Sequence, residues 1–208
     1  MSRALVIVDI QNDYFPGGAH PLHEPDAAAA AARATLARFR AAGEHVVHVK
    51  HVWEGPDATF MRPGTEGVEI NDAVAPLPGE PVISKDAPNA FLRTRLEEEL
   101  RAHDVDEVVV CGMMTCVCVD ATVRAASDLG FKVTLVHDAC AAPALQFGEL
   151  TVAAPDVHAA FLAAFGYGYA DVVSAAELAG SAAMSITAAP SKRPWRRSSS
   201  ARGASASA

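Results

Sequence analysis

The sequence predicts an α/β protein of three layers, with a doubly wound, six-stranded, mostly parallel sheet between helices on both faces. Three observations lead there. Short apolar runs rich in β-branched residues recur along the chain, as expected of strands covered on both faces. Segments with apolar residues at three- and four-residue spacing alternate with those runs. Most connections are short, and strands alternating with helices in this way stack into one parallel sheet.

In order, Ala4-Leu-Val-Ile-Val-Asp9 reads as a buried strand with an acid at its carboxyl end, followed by Gln11, Asn12, Asp13 and a Pro16-Gly-Gly18 turn. Asp26 is expected to cap a helix that runs through Arg40 to a stop at Gly43, with Leu36 and Phe39 facing inward. The second strand, His45–Val52, carries three histidines; His48 and His51 lie an odd number of residues apart, so they face opposite sides and do not share one ion. A long connection from Trp53 to Pro78 follows, a length more often used for a lid or pocket wall than left idle. Glu80–Lys85 is a third strand ending in a lysine, and a helix is expected to open near Asn89 and run through Phe91, Leu92, Leu96 and Leu100.

The most informative stretch is Glu107–Ala126. Val108, Val109 and Val110 form a strand, and from Cys118 onward Val119, Thr122, Val123 and Ala126 recur at helical spacing. After it come a strand at Phe131–Asp138, a helix near Asp156–Phe165, a sixth strand at Asp171–Ser174 and a short helix through Leu178.

The chain has 208 residues, half of them hydrophobic, which suits one domain of ordinary size, expected at 1–180. Of its 17 basic residues five lie in 181–208, a Ser/Ala-rich stretch without acids that is expected to be disordered; the body keeps 12 basic against 25 acidic residues. A body this acidic argues against a nucleic-acid surface. No apolar run is long enough to span a bilayer, and a strand follows the first residues directly, so no membrane and a cytoplasmic location are expected. The four cysteines, Cys111, Cys116, Cys118 and Cys140, form no regular disulfide framework, which agrees with a reducing compartment.

A strand that turns at once into a helix puts its turn at the carboxyl edge of the sheet, where open α/β folds bind ligands. Cys118 sits at that turn, where backbone N–H groups and the helix dipole are expected to lower a thiol's pKa and to receive an oxyanion. Otherwise it is one more small buried apolar residue. Asp9 and Lys85 end two other strands, and in a doubly wound order the three ends can converge on one crevice. A carboxylate, an ammonium and a thiol together fit a general base, an electrostatic support and a nucleophile for hydrolysis at an amide carbon.

Val6-Ile-Val-Asp-Ile-Gln-Asn-Asp-Tyr-Phe15, Pro63-Gly-Thr-Glu-Gly67, Ser84-Lys85 with Asn89-Ala-Phe91, Cys111–Thr122 and Val136-His-Asp-Ala-Cys-Ala141 resemble the isochorismatase-like cysteine hydrolases, the group that includes nicotinamidases. The resemblance runs in order to about residue 180. It implies catalytic roles for Asp9, Lys85 and Cys118, a cis Met113–Met114 peptide, and an oxyanion site made by the backbone N–H groups of Met114 and Cys118. Nicotinamidases carry an Asp-x-His metal pair after the second strand; His51 and Trp53 stand there, so no metal and no cofactor are expected. Cys116 stands two residues before the nucleophile, where the closest relatives often have histidine.

Gln11, Phe15, Trp53 and Met113 are expected to meet the substrate in an apolar, aromatic pocket. The reaction expected is cleavage of a C–N bond in a small amide or lactam through a thioester. Alternatives are an isochorismatase-type vinyl-ether hydrolase, which uses the Asp and Lys alone, and a cysteine-based metal or redox module, which the cysteine spacing disfavours. A homo-oligomer, dimer or tetramer, is implied by the resemblance.

Overall fold

A computed structural model describes residues 2–183; the basic stretch at 181–208 lies almost wholly outside the described residues. Among the described residues eight strands are present: β1 (Ser2–Val8), β2 (His45–His51), β3 (Val82–Lys85), β4 (Val105–Met113), β5 (Lys132–Ala141), β6 (Leu145–Phe147), β7 (Leu150–Val152) and β8 (Asp171–Val173). Five α-helices accompany them: α1 (Pro25–Ala42), α2 (Leu96–Ala102), α3 (Asp120–Asp128), α4 (Ala154–Gly168) and α5 (Ala175–Ala183).

Six strands form one sheet in the order β3-β2-β1-β4-β5-β8, and every pairing within it is parallel. The chain winds outward from β1 to β3, then returns to the other side of β1 at β4. The sheet therefore switches direction between β1 and β4, the place where such sheets open a crevice at their carboxyl ends. Residues Ala4 to Val8 of the central strand are at most 2% exposed, so both of its faces are covered. Helices α1 and α5 pack on each other, as do α3 and α4. Burial of these β-branched and alanine-rich faces supplies the main driving force for the fold.

Three expectations need correction. Helix α1 begins two residues earlier than expected, with Pro25 at its first position and Glu24 in the left-handed region before it (φ 47°), so Asp26 lies inside the first turn, where its charge complements the helix dipole. Its end at Gly43 is as expected, with φ 65°. The next helix starts at Leu96 rather than near Asn89. The Asn89 side chain accepts from the Phe91 N–H at 2.9 Å and Arg93 is left-handed at φ 57°, so residues 89–95 form turns. Leu96 and Leu100 still face inward, fully buried. Strands β6 and β7 were not expected at all: they pair as an antiparallel hairpin whose Leu145, Phe147 and Leu150 are exposed.

The long connection after β2 contains two 3-10 turns, Glu66–Val68 and Asp72–Val74, and Ile70 forms an antiparallel bridge with Gln11. The buried Asp13 carboxylate anchors it, accepting from the Met61 N–H at 2.6 Å and the Ala19 N–H at 3.0 Å. Gly67 lies against that carboxylate so closely that a Cβ has no room. Among the described residues no helix is long and apolar enough to cross a membrane.

Candidate active site

Asp9, Lys85 and Cys118 come together. Asp9 follows β1 in the left-handed region (φ 51°), with its N–H bonded to the Val49 carbonyl at 3.0 Å, and its side chain is fully buried. A non-glycine residue in this region is uncommon and is held there by its surroundings. Lys85 is the last residue of β3, in register with His51 at the end of β2. Cys118 lies in a π-helical turn, Thr115–Val119, that leads into α3 and buries its thiol to 4% exposure. Turns of this kind recur at functional sites. The preceding Met113–Met114 peptide is cis, as the resemblance implies.

The ammonium of Lys85 is the centre of the cluster. Its Nζ lies 2.7 Å from Asp9 Oδ2, 3.0 Å from His51 Nδ1 and 3.2 Å from Cys118 Sγ. Of its three N–H donors two have acceptors in His51 Nδ1 and Cys118 Sγ, and the Asp9 carboxylate meets the ammonium as an ion pair. One atom each of Asp9, His51 and Cys118 lie within 4.8 Å of one another around it. The buried oxygens of Asp9 take no well-directed hydrogen bond among the described residues, so the neighbouring ammonium is what balances their charge. That leaves carboxylate lone pairs available to a proton.

Electrostatics follow from this packing. Burial opposes charge on Lys85, but Asp9 and then Cys118 outweigh it, and the lysine pKa rises above its usual value. Burial, and next the Lys85 charge, lower the His51 pKa, so the imidazole is neutral and presents Nδ1 as an acceptor. Tyr14, buried nearby, keeps its proton because burial and then the charge of Asp9 push the phenol up. The expected acidity of Cys118 is not found. Burial, followed by the Asp9 carboxylate, pushes its thiol well up, more than Lys85 pulls it down, so the resting sulfur is protonated.

A cavity of about 480 Å³ opens beside Lys85, with Val52, Trp53, Ser84, Asp86 and Arg93 in its wall. Of the three clustered residues only Lys85 lines it. The wall is mixed rather than apolar: Glu54 contributes a carboxylate, and Arg93 pairs with Asp86 at 2.8 Å. Trp53 is the one of the four expected substrate contacts that lines this cavity. Phe15 instead borders a second cavity of about 360 Å³ together with Asn12 and Glu66. Met113 is fully buried in the core and lines neither. Gln11, also expected at the substrate, has its side chain committed to backbone: its amide donates to the His51 carbonyl at 2.9 Å and the Val68 carbonyl at 2.6 Å, and its oxygen accepts from the His51 N–H at 2.8 Å. Gln11 is thus a clamp between β2 and the long loop.

His51 also belongs to this cluster, a role not given to it by the sequence analysis. The signal was present: His51 ends β2 just as Lys85 ends β3. The residues do not fit a metal at this point. Trp53 offers only an indole N–H donor, and the Lys85 ammonium already occupies the space among Asp9, His51 and Cys118. Among the described residues Cys118 is the one cysteine that belongs to a cluster of three ligand-type side chains, so the four thiols form no common metal site. All four are free, and Cys111 and Cys140 are buried.

The sheet changes winding direction beside the buried acid–ammonium–thiol cluster, so the chain is an α/β protein with that cluster at the carboxyl ends of its strands. Comparison with known proteins sets the family: residues 3–177 match the Isochorismatase domain, and the chain belongs to the isochorismatase family of hydrolases. It is 48% identical to the isochorismatase family protein YddQ of Bacillus subtilis, over 83% of this chain and 96% of that one. It is 39% identical to a streptothricin hydrolase of Streptomyces noursei over 66% of this chain, but spans only about half (49%) of that protein's length. It is 34% identical to the maleamate amidohydrolase of Pseudomonas putida, over 65% of this chain and 70% of that one. Among solved structures, an isochorismatase hydrolase from Oleispira antarctica superposes with a TM-score of 0.83 at 42% identity, covering 86% of this chain and 96% of that one.

Proposed function

We propose that this hydrolase cleaves the C–N bond of a small amide or lactam through a thioester on Cys118. The observation that carries the reading is the buried Lys85 ammonium, 2.7 Å from the Asp9 carboxylate and 3.2 Å from the Cys118 sulfur, at the ends of different strands. Names of two relatives, a maleamate amidohydrolase and a streptothricin hydrolase, support the substrate class.

In this reading Asp9 takes the Cys118 proton as the sulfur attacks the carbonyl carbon. A thiol that is protonated at rest needs its base in place, which ties attack to Asp9. Backbone N–H groups of Met114 and Cys118 receive the oxyanion. The tetrahedral intermediate collapses by breaking the C–N bond, and Asp9 gives the proton to the leaving nitrogen. Water then enters, Asp9 removes its proton as it attacks the thioester, and the carboxylic acid leaves while that proton returns to sulfur. Lys85 stays charged throughout, holding Asp9 in position and offsetting negative charge on sulfur. Trp53 and the cavity beside Lys85 seat the substrate.

The vinyl-ether alternative uses Asp9 and Lys85 and leaves the thiol idle, whereas the 3.2 Å contact between Lys85 and sulfur favours a working nucleophile. The four free cysteines support action in the cytoplasm, and the family resemblance supports a homo-oligomer. A screen of small amides, imides and lactams for released ammonia or amine, run with Cys118→Ala alongside, tests the proposal. The expected result is turnover of at least one such compound, reduced by about a thousandfold or more in the variant. Undiminished turnover by Cys118→Ala contradicts it.

A further inference from the structure

We propose that His45, Glu99 and His103 form a second, independent site that binds a divalent transition ion of the zinc class. The three side chains come from the start of β2, from α2 and from the residue after α2, and their ligand atoms lie within 4.8 Å of one another. His45 Nε2 is 3.2 Å and His103 Nδ1 is 3.5 Å from the same oxygen, Glu99 Oε1. Zinc–nitrogen and zinc–oxygen bonds of about 2.0–2.2 Å in a tetrahedral site put neighbouring ligand atoms about 3.3–3.5 Å apart. Of the two observed separations one falls at that spacing and the other about 0.1 Å short of it, and both are longer than the roughly 2.7–2.9 Å of a charge-assisted hydrogen bond.

A second observation points the same way. His45 Nε2 is buried and makes no well-directed hydrogen bond among the described residues, although it faces Glu99. A buried ring nitrogen without a partner is costly, and an ion at this point would satisfy it. The rings of His45 and His103 stack at 3.8 Å between centroids, which brings both imidazoles to the same Glu99 oxygen. His103 Nδ1 also sits 2.9 Å from the Glu99 carbonyl oxygen, a contact it exchanges for the ion. The side chain of His103 is 48% exposed, which leaves a coordination position open to water.

This site lies at the opposite pole from the thiol. His45 and His51 begin and end the same strand, so the two clusters are about 20 Å apart along β2. The ion would tie the start of β2 to the end of α2, a structural clip rather than a catalytic group.

Titration with Co²⁺, followed by visible absorption and calorimetry, tests the site in a Cys118→Ser background, which removes the thiol as a competing ligand. One equivalent is expected to bind with the absorption of a low-coordinate nitrogen and oxygen site, and Zn²⁺ is expected to displace it. The spectrum is expected to vanish in His103→Gln, an exposed substitution that leaves the fold and amide hydrolysis in the Cys118 enzyme unchanged. Equal binding by the His103→Gln protein, or no saturable binding below millimolar metal, overturns the proposal without touching the thioester reading.

Discussion

Replacing Asp9 by asparagine separates the acidity of Cys118 from its usefulness. In the wild-type site the carboxylate lies within 4.8 Å of the sulfur and raises the thiol pKa. At that distance and an effective dielectric of about 20, one unit charge is worth about 3 kcal/mol, or between a hundred- and a thousandfold in the thiolate population. Removing it also leaves Lys85 as a buried ammonium whose remaining anionic partner is the sulfur, 3.2 Å away, so the site regains neutrality when the thiol ionises. The expected outcome is paradoxical for a disabled enzyme: iodoacetamide alkylates Cys118 of Asp9→Asn faster than wild type at pH 7, by up to about two orders of magnitude, while hydrolysis falls by about a thousandfold. Peptide mapping of time-resolved alkylation, run over pH 6–10, measures the first quantity. Alkylation of the variant at or below the wild-type rate refutes the charge arrangement deduced here.

The clamp role of Gln11 predicts that Gln11→Leu lowers stability by about 2–3 kcal/mol, because the half-buried His51 N–H loses its acceptor and the buried Val68 carbonyl its donor, which chemical denaturation would register. Gly112 sits at φ 140° with its α-carbon against the Val8 backbone, so Gly112→Ala is expected to cost about 3 kcal/mol or to prevent soluble expression; a loss under 1 kcal/mol contradicts the close approach. Glu80 bonds Arg40, which holds its carboxyl down from the ordinary value near 4.5 to about 2, helped by the Leu77 N–H and His48. A depressed carboxyl stabilises the fold above its unfolded pKa, so wild type is expected to exceed Glu80→Gln in Tm at pH 7 and to lose that advantage as the pH falls from 4.5 to 2. An unchanged difference at pH 2.5 speaks against this pair.

What could be read in the sequence was what depends on period and position. Strand ends were visible in the valine runs, and because parallel strands bring their carboxyl ends to one edge, Asp9, Lys85 and Cys118 could be placed together before any contact was known. The Gly43 stop was legible because a left-handed terminator has few solutions. The start of α2 was not, since the apolar spacing of Phe91 and Leu92 mimics a helix while Asn89 and Arg93 bend the chain out of one. The β6–β7 hairpin escaped because its apolar residues face solvent, contrary to the rule that marks strands by burial. The thiol's pKa was misread for a related reason. Helix-end position is a local property, but its opponents, burial and the Asp9 charge, arise only when distant segments pack. Gln11 was expected at the substrate, and it is the return of the long loop across it, at Val68, that completes the clamp.

The thioester is the claim on which the rest depends, and intact-protein mass spectrometry of enzyme quenched with acid during turnover of an active amide tests it most directly. The account predicts an added mass equal to the substrate's acyl group, mapped to the peptide that carries Cys118 and absent from Cys118→Ala. Steady turnover with no such adduct under conditions where deacylation is slowed, together with retained hydrolysis by Cys118→Ala, would contradict it.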